Sequence, residues 1–223
     1  MIFLFGEKRI FYFNFKPGIF LYLCAPKQVS KMKILIINAS PRNKGLISQM
    51  LAIMAEEAEQ HQAEVETIIV NDLLIHPCSG CMNCRSSNRC RLPEDGAQHT
   101  LRKIEEADIL IIGSPCYWGN MNGYLKVLFD RMVYGLIGES SQGIPVPKHK
   151  GKRAIIVTTS STAWPFNIWF NQTRGVVKSL REILKWSGFS IQGTIQKGGT
   201  HKFPELTEKE KQKCRNIIHR LTR

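Results

Sequence analysis

Five short apolar runs separated by segments of helical periodicity constrain this chain more than any other feature. They occupy residues 33–38 (KILIIN), 65–70, 108–112, 154–159 and 189–195. Short apolar runs that end in turn residues read as strands buried on both faces, which is the condition of a parallel sheet. Between them apolar residues recur at helical spacing: Ile47, Leu51, Met54, Ala55 and Ala58, then Tyr124, Leu125, Leu128, Phe129, Met132 and Val133, then Val176, Val177, Leu180, Ile183 and Leu184. Each set forms one stripe of a helix that faces a core. Pro93-Glu94-Asp95 is expected to open a further helix to about Glu106, Gly135 to stop the next one, and Gly188 to cap the one after. Thr207 and Glu210 have capping-box spacing, so a last helix is expected to bury Cys214, Ile217, Ile218 and Leu221. The alternation predicts an open, doubly wound, five-stranded parallel sheet in a three-layer α/β/α arrangement with right-handed crossovers.

A chain of 223 residues with 43% hydrophobic content suits one compact domain, here residues 32–223. Residues 1–31 carry no element of this alternation and read as a poorly structured extension. Met32, directly before the first run, offers an alternative translation start. The apolar stretches near the start are far shorter than the ~20 residues a spanning helix needs, and Glu7, Lys8 and Arg9 break any secretory-signal pattern. No membrane anchor is expected. The formal charge of +13 favours anionic partners, but the basic residues are scattered, which reads as a solvated surface.

In doubly wound sheets ligands bind beyond the carboxyl ends of the strands, where the winding reverses. The loop after the first run, from Asn38 to Ser48, feeds a helix N-terminus. The hydroxyls of Ser40 and Ser48, the Arg42 guanidinium and the free backbone N–H groups suit a phosphate dianion. An ordinary serine-capped turn fits the same residues, and neither GxxxxGK[ST] nor GxGxxG is present. The loop after the third run, Ser114-Pro115-Cys116-Tyr117-Trp118-Gly119-Asn120, has two adjacent aromatics and a glycine. It suits a flat ring system, and equally a lid or an interface.

Four of the seven cysteines, Cys78, Cys81, Cys84 and Cys90, fall in the segment 77–90 as C-x2-C-x2-C-x5-C. That spacing is too tight for a disulfide framework and reads as metal or redox chemistry in a reducing, cytoplasmic compartment. Zinc and redox-active thiols both fit four cysteines. The run of three thiolates two residues apart favours a cubane iron-sulfur cluster, because structural zinc sites more often use two separated pairs. His76, beside this segment, is expected to be solvated; Cys24 and Cys214 are incidental. Asp130 and Arg131 are expected to pair at a helix end, and Trp164, Phe166, Trp169 and Phe170 to form a subunit contact.

Ser40-Pro41-Arg42, Pro115-Cys116-Tyr117-Trp118-Gly119, Lys126 and Phe129-Asp130-Arg131 together resemble the NAD(P)H-dependent FMN reductase group of flavodoxin-like proteins, over residues 32–195. The resemblance implies that the first loop holds the FMN phosphate, that Pro115 to Asn120 meet the isoalloxazine, and that Ser160 and Ser161 lie near the ring. Leu46-Ile47 stands where family members commonly carry Asn-Thr, which leaves Ser48 as a substitute ligand. With its cysteine segment the chain is similar to the iron-sulfur flavoproteins of that group, which implies a [4Fe-4S] cluster on Cys78, Cys81, Cys84 and Cys90. The expected activity is an FMN-dependent oxidoreduction between NAD(P)H or a reduced protein and an acceptor. The flavin carries the chemistry and no side chain need be an acid or base. The rivals are a cluster-free NAD(P)H:FMN or quinone reductase and, from another class, a zinc-bearing nucleic-acid-binding module, which the switch-point loops argue against. Homodimers or homotetramers, with no nucleic-acid or membrane partner, are implied.

Overall fold

In the computed structural model, which describes residues 31–222, a five-stranded sheet forms from β1 (Lys33–Asn38), β2 (Glu64–Ile69), β3 (Ile109–Pro115), β6 (Arg153–Thr159) and β7 (Ser190–Lys197). All pairings are parallel, in the order β2-β1-β3-β6-β7. The chain therefore winds outward first to one side of β1 and then to the other, and the reversal lies between β1 and β3. The N-terminal extension expected at 1–31 lies, but for Lys31, outside the described residues, as does Cys24. Within them no helix is long and apolar enough to cross a membrane.

The pleat of the strands sorts the core into two layers. Ile34, Ile36, Ile109, Ile111, Ile155 and Val157 point to the side covered by α1 (Leu46–Gln60) and α7 (Glu208–Leu221), against Met50, Met54, Cys214 and Ile218. Leu35, Ile37, Leu110, Ile112 and Ile156 point to the other side, under α3 (Gly96–Glu106), α4 (Gly123–Leu136) and α6 (Thr173–Ser187). Burial on both faces explains why the central strands β1, β3 and β6 read as continuous apolar runs, whereas the edge strands β2 and β7 expose Glu64, Glu66, Ser190 and Gln192.

Several local expectations hold and others shift. Gly188 ends α6 with φ +97°, and Thr207 and Glu210 form the capping box of α7. Asp95 is the N-cap of α3, in a capping box with Gln98. Gly135 does not end its helix: α4 continues to Leu136, and the missing Cβ lets Leu101 of α3 pack directly on the backbone. The loop that follows contains a small antiparallel hairpin, β4 (Ile137–Glu139) with β5 (Pro145–Pro147), and the segments expected as loops hold two short helices, α2 (Asn83–Ser87) and α5 (Phe166–Trp169). These pieces are too short to leave a periodic signature.

Candidate functional site

The carboxyl edge of the sheet opens into a cavity of about 710 Å³. Its walls are the loop after β1 (Ser40, Arg42, Lys44), the loop after β3 (Pro115, Cys116, Tyr117), the end of β6 (Thr159, Ser160, Ser161) and the loop after β7 (Thr200, His201, Pro204). The first wall is wound tightly on itself. Ser40 Oγ donates to the Arg42 carbonyl at 3.2 Å, and Gly45 N closes on the same carbonyl at 2.9 Å. A Cβ at Gly45 would stand 3.0 Å from Arg42 Cβ, so the turn is fitted to glycine. No side chain caps α1 and no acidic residue lies in its first turn. The first N–H groups of the helix therefore have no side-chain acceptor, and Gly45, Leu46 and Ile47 line the cavity beside Arg42 and Lys44, an arrangement that draws an anion by partial positive charge and two cations.

The sequence-derived candidates divide here. Ser40, Arg42, Pro115, Cys116, Tyr117, Ser160 and Ser161 line the cavity together. Ser48 does not: its hydroxyl donates to the Arg42 carbonyl at 3.0 Å and accepts from Asn38 Nδ2 at 3.0 Å, so it braces the loop from behind. Trp118 and Gly119 occupy the middle of a tight turn in which Tyr117 and Asn120 exchange backbone hydrogen bonds, with φ of +53° and +70°. That turn throws the Trp118 ring fully into solvent and puts Gly119 and Asn120 on the rim of a separate depression with Asn171, Gly175 and Lys178. Burial pushes the Cys116 thiol up, which disfavours its thiolate form.

Lys44, Gln49, Thr159, Thr200, His201 and Pro204 are wall residues that motif reading missed. The available signal was topological, since the loop after β7 also leaves the carboxyl edge. That loop is anchored where Lys197, nearly buried, donates to both carboxylate oxygens of Glu210 at 2.8 and 3.0 Å.

Cys78, Cys81, Cys84 and Cys90 line one small pocket, together with Met82, Leu92, Arg131, Val133 and Tyr134. The segment turns through left-handed residues at Gly80, Met82 and Asn88. This winding aims backbone N–H groups at sulfur: Gly80 N lies 3.5 Å from Cys78 Sγ, and hydrogen bonds from the Asn83 backbone and the Ser79 side chain lower the Cys81 pKa. Among the described residues the cysteine sulfurs belong to no triad of donors converging within 4.8 Å. Four thiolates on one zinc ion would stand about 3.8 Å apart, whereas a cubane interposes four irons.

Both ends of this segment are tied to one buried ion pair. Arg131 Nη1 donates to Asp95 Oδ2 and to the His76 carbonyl, each at 2.6 Å, and Nη2 reaches the Pro93 carbonyl at 3.4 Å. Asp95 also accepts from His76 N at 3.1 Å and Ala97 N at 2.9 Å. Arg131 thus pairs with Asp95 across two helices, while Asp130 pairs with Lys126 at 2.6 Å along its own helix; the expected Asp130–Arg131 pair does not form, because adjacent helical residues point about 100° apart. His76 is not simply solvated: its ring is exposed, but its backbone is held on both sides by this pair.

Burial opposes ionisation of Asp95, yet the hydrogen bonds from Ala97, His76 and Arg131 outweigh it and hold the pKa below the usual carboxylate range. Glu210 is lowered in the same way against its own burial, by Lys197 and Thr207. A lowered folded-state pKa contributes stability that is present above the unfolded value and lost as pH falls through the folded one. The protein is expected to lose stability progressively below about pH 4–5, where unfolded carboxylates begin to bind protons. In urea titrations at pH 7 and pH 3, Asp95→Asn, which keeps an acceptor oxygen without the charge, should show a smaller drop than the parent. An equal drop would mean that Asp95 does not contribute to the acid sensitivity.

The profile of the NADPH-dependent FMN reductase family matches residues 32–195, from just before β1 into β7. The chain belongs to that family. Two curated relatives of this FMN reductase family member are an iron-sulfur flavoprotein of Methanocaldococcus jannaschii, 38% identical over 104 residues (45% of this chain, 51% of that protein), and one of Archaeoglobus fulgidus, 37% identical over 107 residues (48% and 52%). The chain thus matches about half the length of these relatives. Solved structures share the fold: a putative quinone reductase from Klebsiella pneumoniae at TM-score 0.66 and 18% identity, covering 86% of this chain and 84% of that one, and an FMN-dependent NADH-azoreductase from Bacillus anthracis in complex with FMN at TM-score 0.66 and 16% identity, covering 86% and 100%.

Proposed function

We propose that this family member is an FMN-dependent oxidoreductase of the iron-sulfur flavoprotein kind, taking electrons from NAD(P)H or a reduced protein and passing them to an acceptor. The observation that carries the reading is the uncapped N-terminus of α1 opening into the carboxyl-edge cavity between Arg42 and Lys44. The cavity lies in the size range of cofactor sites, and its walls fit FMN. The helix N-terminus, Arg42, Lys44 and Ser40 would hold the phosphate. Pro115, Cys116 and Tyr117 would meet the ring on one side and Ser160 and Ser161 on the other. FMN when bound supplies hydride acceptance in two-electron steps and release in single ones. The residues around it bind and orient, and Ser48 and Asn38 keep the phosphate loop in shape.

The pocket lined by four thiols, with N–H groups directed at sulfur, fits a [4Fe-4S] cluster better than a single zinc ion, and the relatives named iron-sulfur flavoprotein support the same reading. Cys78, Cys81, Cys84 and Cys90 would ligate it, and the cluster would supply one-electron transfer. Four unpaired thiols in one loop suit a reducing, cytoplasmic compartment. The exposed rings of Trp118, Trp164, Trp169 and Phe170 give a surface for a homodimer or homotetramer.

The test is an anaerobic absorption spectrum after reconstitution with FMN, iron and sulfide, with all three quantified on the parent and on Arg42→Gln. Flavin bands, a broad cluster absorption and about four irons per chain are expected in the parent. Arg42→Gln should bind FMN about tenfold more weakly, the loss of one charge-assisted contact, and keep its iron. Flavin without iron would leave a cluster-free reductase, and neither chromophore would overturn the proposal.

A further inference from the structure

At the end of α1 opposite the cavity, three side chains that the flavin and the cysteine loop do not use converge on one point. Glu57 and His61 stand four residues apart on one face of the helix, His61 being the residue that closes it. His219 enters from the last turn of α7, 158 residues further along the chain. His219 Nδ1 lies 2.9 Å from His61 Nε2, His61 Nε2 lies 3.2 Å from Glu57 Oε1, and His219 Nδ1 lies 3.8 Å from the same oxygen. All three donor atoms fall within 4.8 Å of one another.

We propose that Glu57, His61 and His219 form a binding site for a divalent late first-row transition metal ion, zinc foremost, that clamps the C-terminal helix to α1. Ligands about 2.0–2.2 Å from a tetrahedral zinc ion stand about 3.4 Å apart, and the three observed separations bracket that value. Two imidazoles and one carboxylate are a donor set that zinc, nickel and copper accept and that magnesium and calcium do not prefer. Glu57 is largely buried, with 14% of its side chain exposed, while His61 and His219 are 29% and 39% exposed, so the fourth position opens to water.

The two facing ring nitrogens lie within hydrogen-bond distance of each other, one as donor and the other as acceptor. When the ion binds, the imidazole that donates this hydrogen bond carries its proton on its other ring nitrogen, so that both facing nitrogens present lone pairs. The N–H bond on the facing nitrogen breaks and one forms on the other ring nitrogen, with water carrying the proton between them, so the imidazole stays neutral and no redox partner is required. The helices already meet through Met54, Ala58, Ile218 and Leu221, so the ligands are held close to the required geometry before any metal arrives. Glu57 stands about 12 Å along α1 from Gln49, which lines the cavity toward the other end of the helix, so the two sites do not touch. The ion therefore acts on helix packing and leaves flavin binding unchanged.

The test uses the full chain, treated with chelator and freed of it, titrated with zinc chloride beside His219→Ala and Glu57→Gln. Bound zinc is counted by elemental analysis and stability is followed by thermal melting. Zinc taken by the cysteines is common to all three proteins and cancels in the comparison. The parent should bind one zinc ion per chain more than His219→Ala, and excess zinc should raise its melting temperature by more than that of the variant. Glu57→Gln, which keeps a hydrogen-bonding oxygen, should weaken this extra site at least about tenfold. If His219→Ala does not fold, His219→Gln takes its place. Equal zinc uptake and equal melting shifts in all proteins would overturn the proposal and leave a hydrogen-bonded histidine pair only.

Discussion

Arg131→Met should destabilise the protein by about 3–5 kcal/mol, a large share of the ~5–15 kcal/mol that holds a domain together. The guanidinium side chain is wholly buried and its partner Asp95 is 5% exposed. Methionine fills much of the volume but leaves the Asp95 carboxylate buried without its cation and the His76 and Pro93 carbonyls without their donor. The damage falls on the cysteine segment, because those carbonyls stand just before Cys78 and shortly after Cys90. Iron retention in the reconstituted protein should therefore fall together with the urea midpoint. Arg131→Met combined with Asp95→Asn removes both charges and should recover part of the loss, since the unpaired buried charge is the larger penalty. Lys126→Ala, which breaks an exposed pair one turn away on the same helix, should change stability by no more than about 0.5 kcal/mol. If Arg131→Met cost no more than Lys126→Ala in urea denaturation, the buried pair would not be what anchors the loop.

Gly175→Ala should be the second severe change, with a sign opposite to the usual one. Alanine in place of glycine inside a helix ordinarily stabilises by up to about 1 kcal/mol. Here a Cβ on Gly175 would overlap the carbonyl oxygen of Gly119 and stand 3.1 Å from Asn171 Nδ2. The obstacle is backbone, which cannot rotate away. Gly119 is itself held at φ +70°, with its own missing Cβ facing the Asn171 carbonyl at 3.0 Å. The two glycines interlock the Tyr117–Asn120 turn with the start of α6, so separation would shift a cavity wall. A loss of about 3 kcal/mol, the upper range for overpacking, is expected by thermal or urea denaturation, with weaker FMN binding. Gly123→Ala, at the first position of α4 with nothing near its Cβ, is the matched control and should stabilise slightly. Stabilisation of both variants would show that the turn and the helix are not locked together.

These two positions mark where reading from sequence stops. Nothing near Arg131 in the chain names Asp95, 36 residues away, as its partner, and Phe129-Asp130-Arg131 invites the adjacent pairing that helix geometry forbids. Ser48 carries the right hydroxyl in the right loop, but only the docking of that loop on β1 shows it spent on Asn38 and Arg42. Trp118 neighbours Tyr117 in sequence, but only the left-handed turn shows that its ring lies in solvent while Tyr117 lines the cavity. Thr200, His201 and Pro204 carry no motif and reach the cavity only because β7 is the neighbour of β6.

The sequence by itself determined the five strands and their helices, because burial on both faces or on one face leaves a periodic trace that needs only near neighbours to read. It also determined that four cysteines share one segment and that the loops after β1, β3 and β6 leave the same edge of the sheet, where they line one cavity. The tertiary structure alone decided which side chains meet across elements: Arg131 with Asp95, Lys197 with Glu210, Gly175 with Gly119, and His61 with His219. Such meetings depend on strand order and on the rotation of each helix about its axis. Those are set by the packing of the whole core and are not encoded in any one segment.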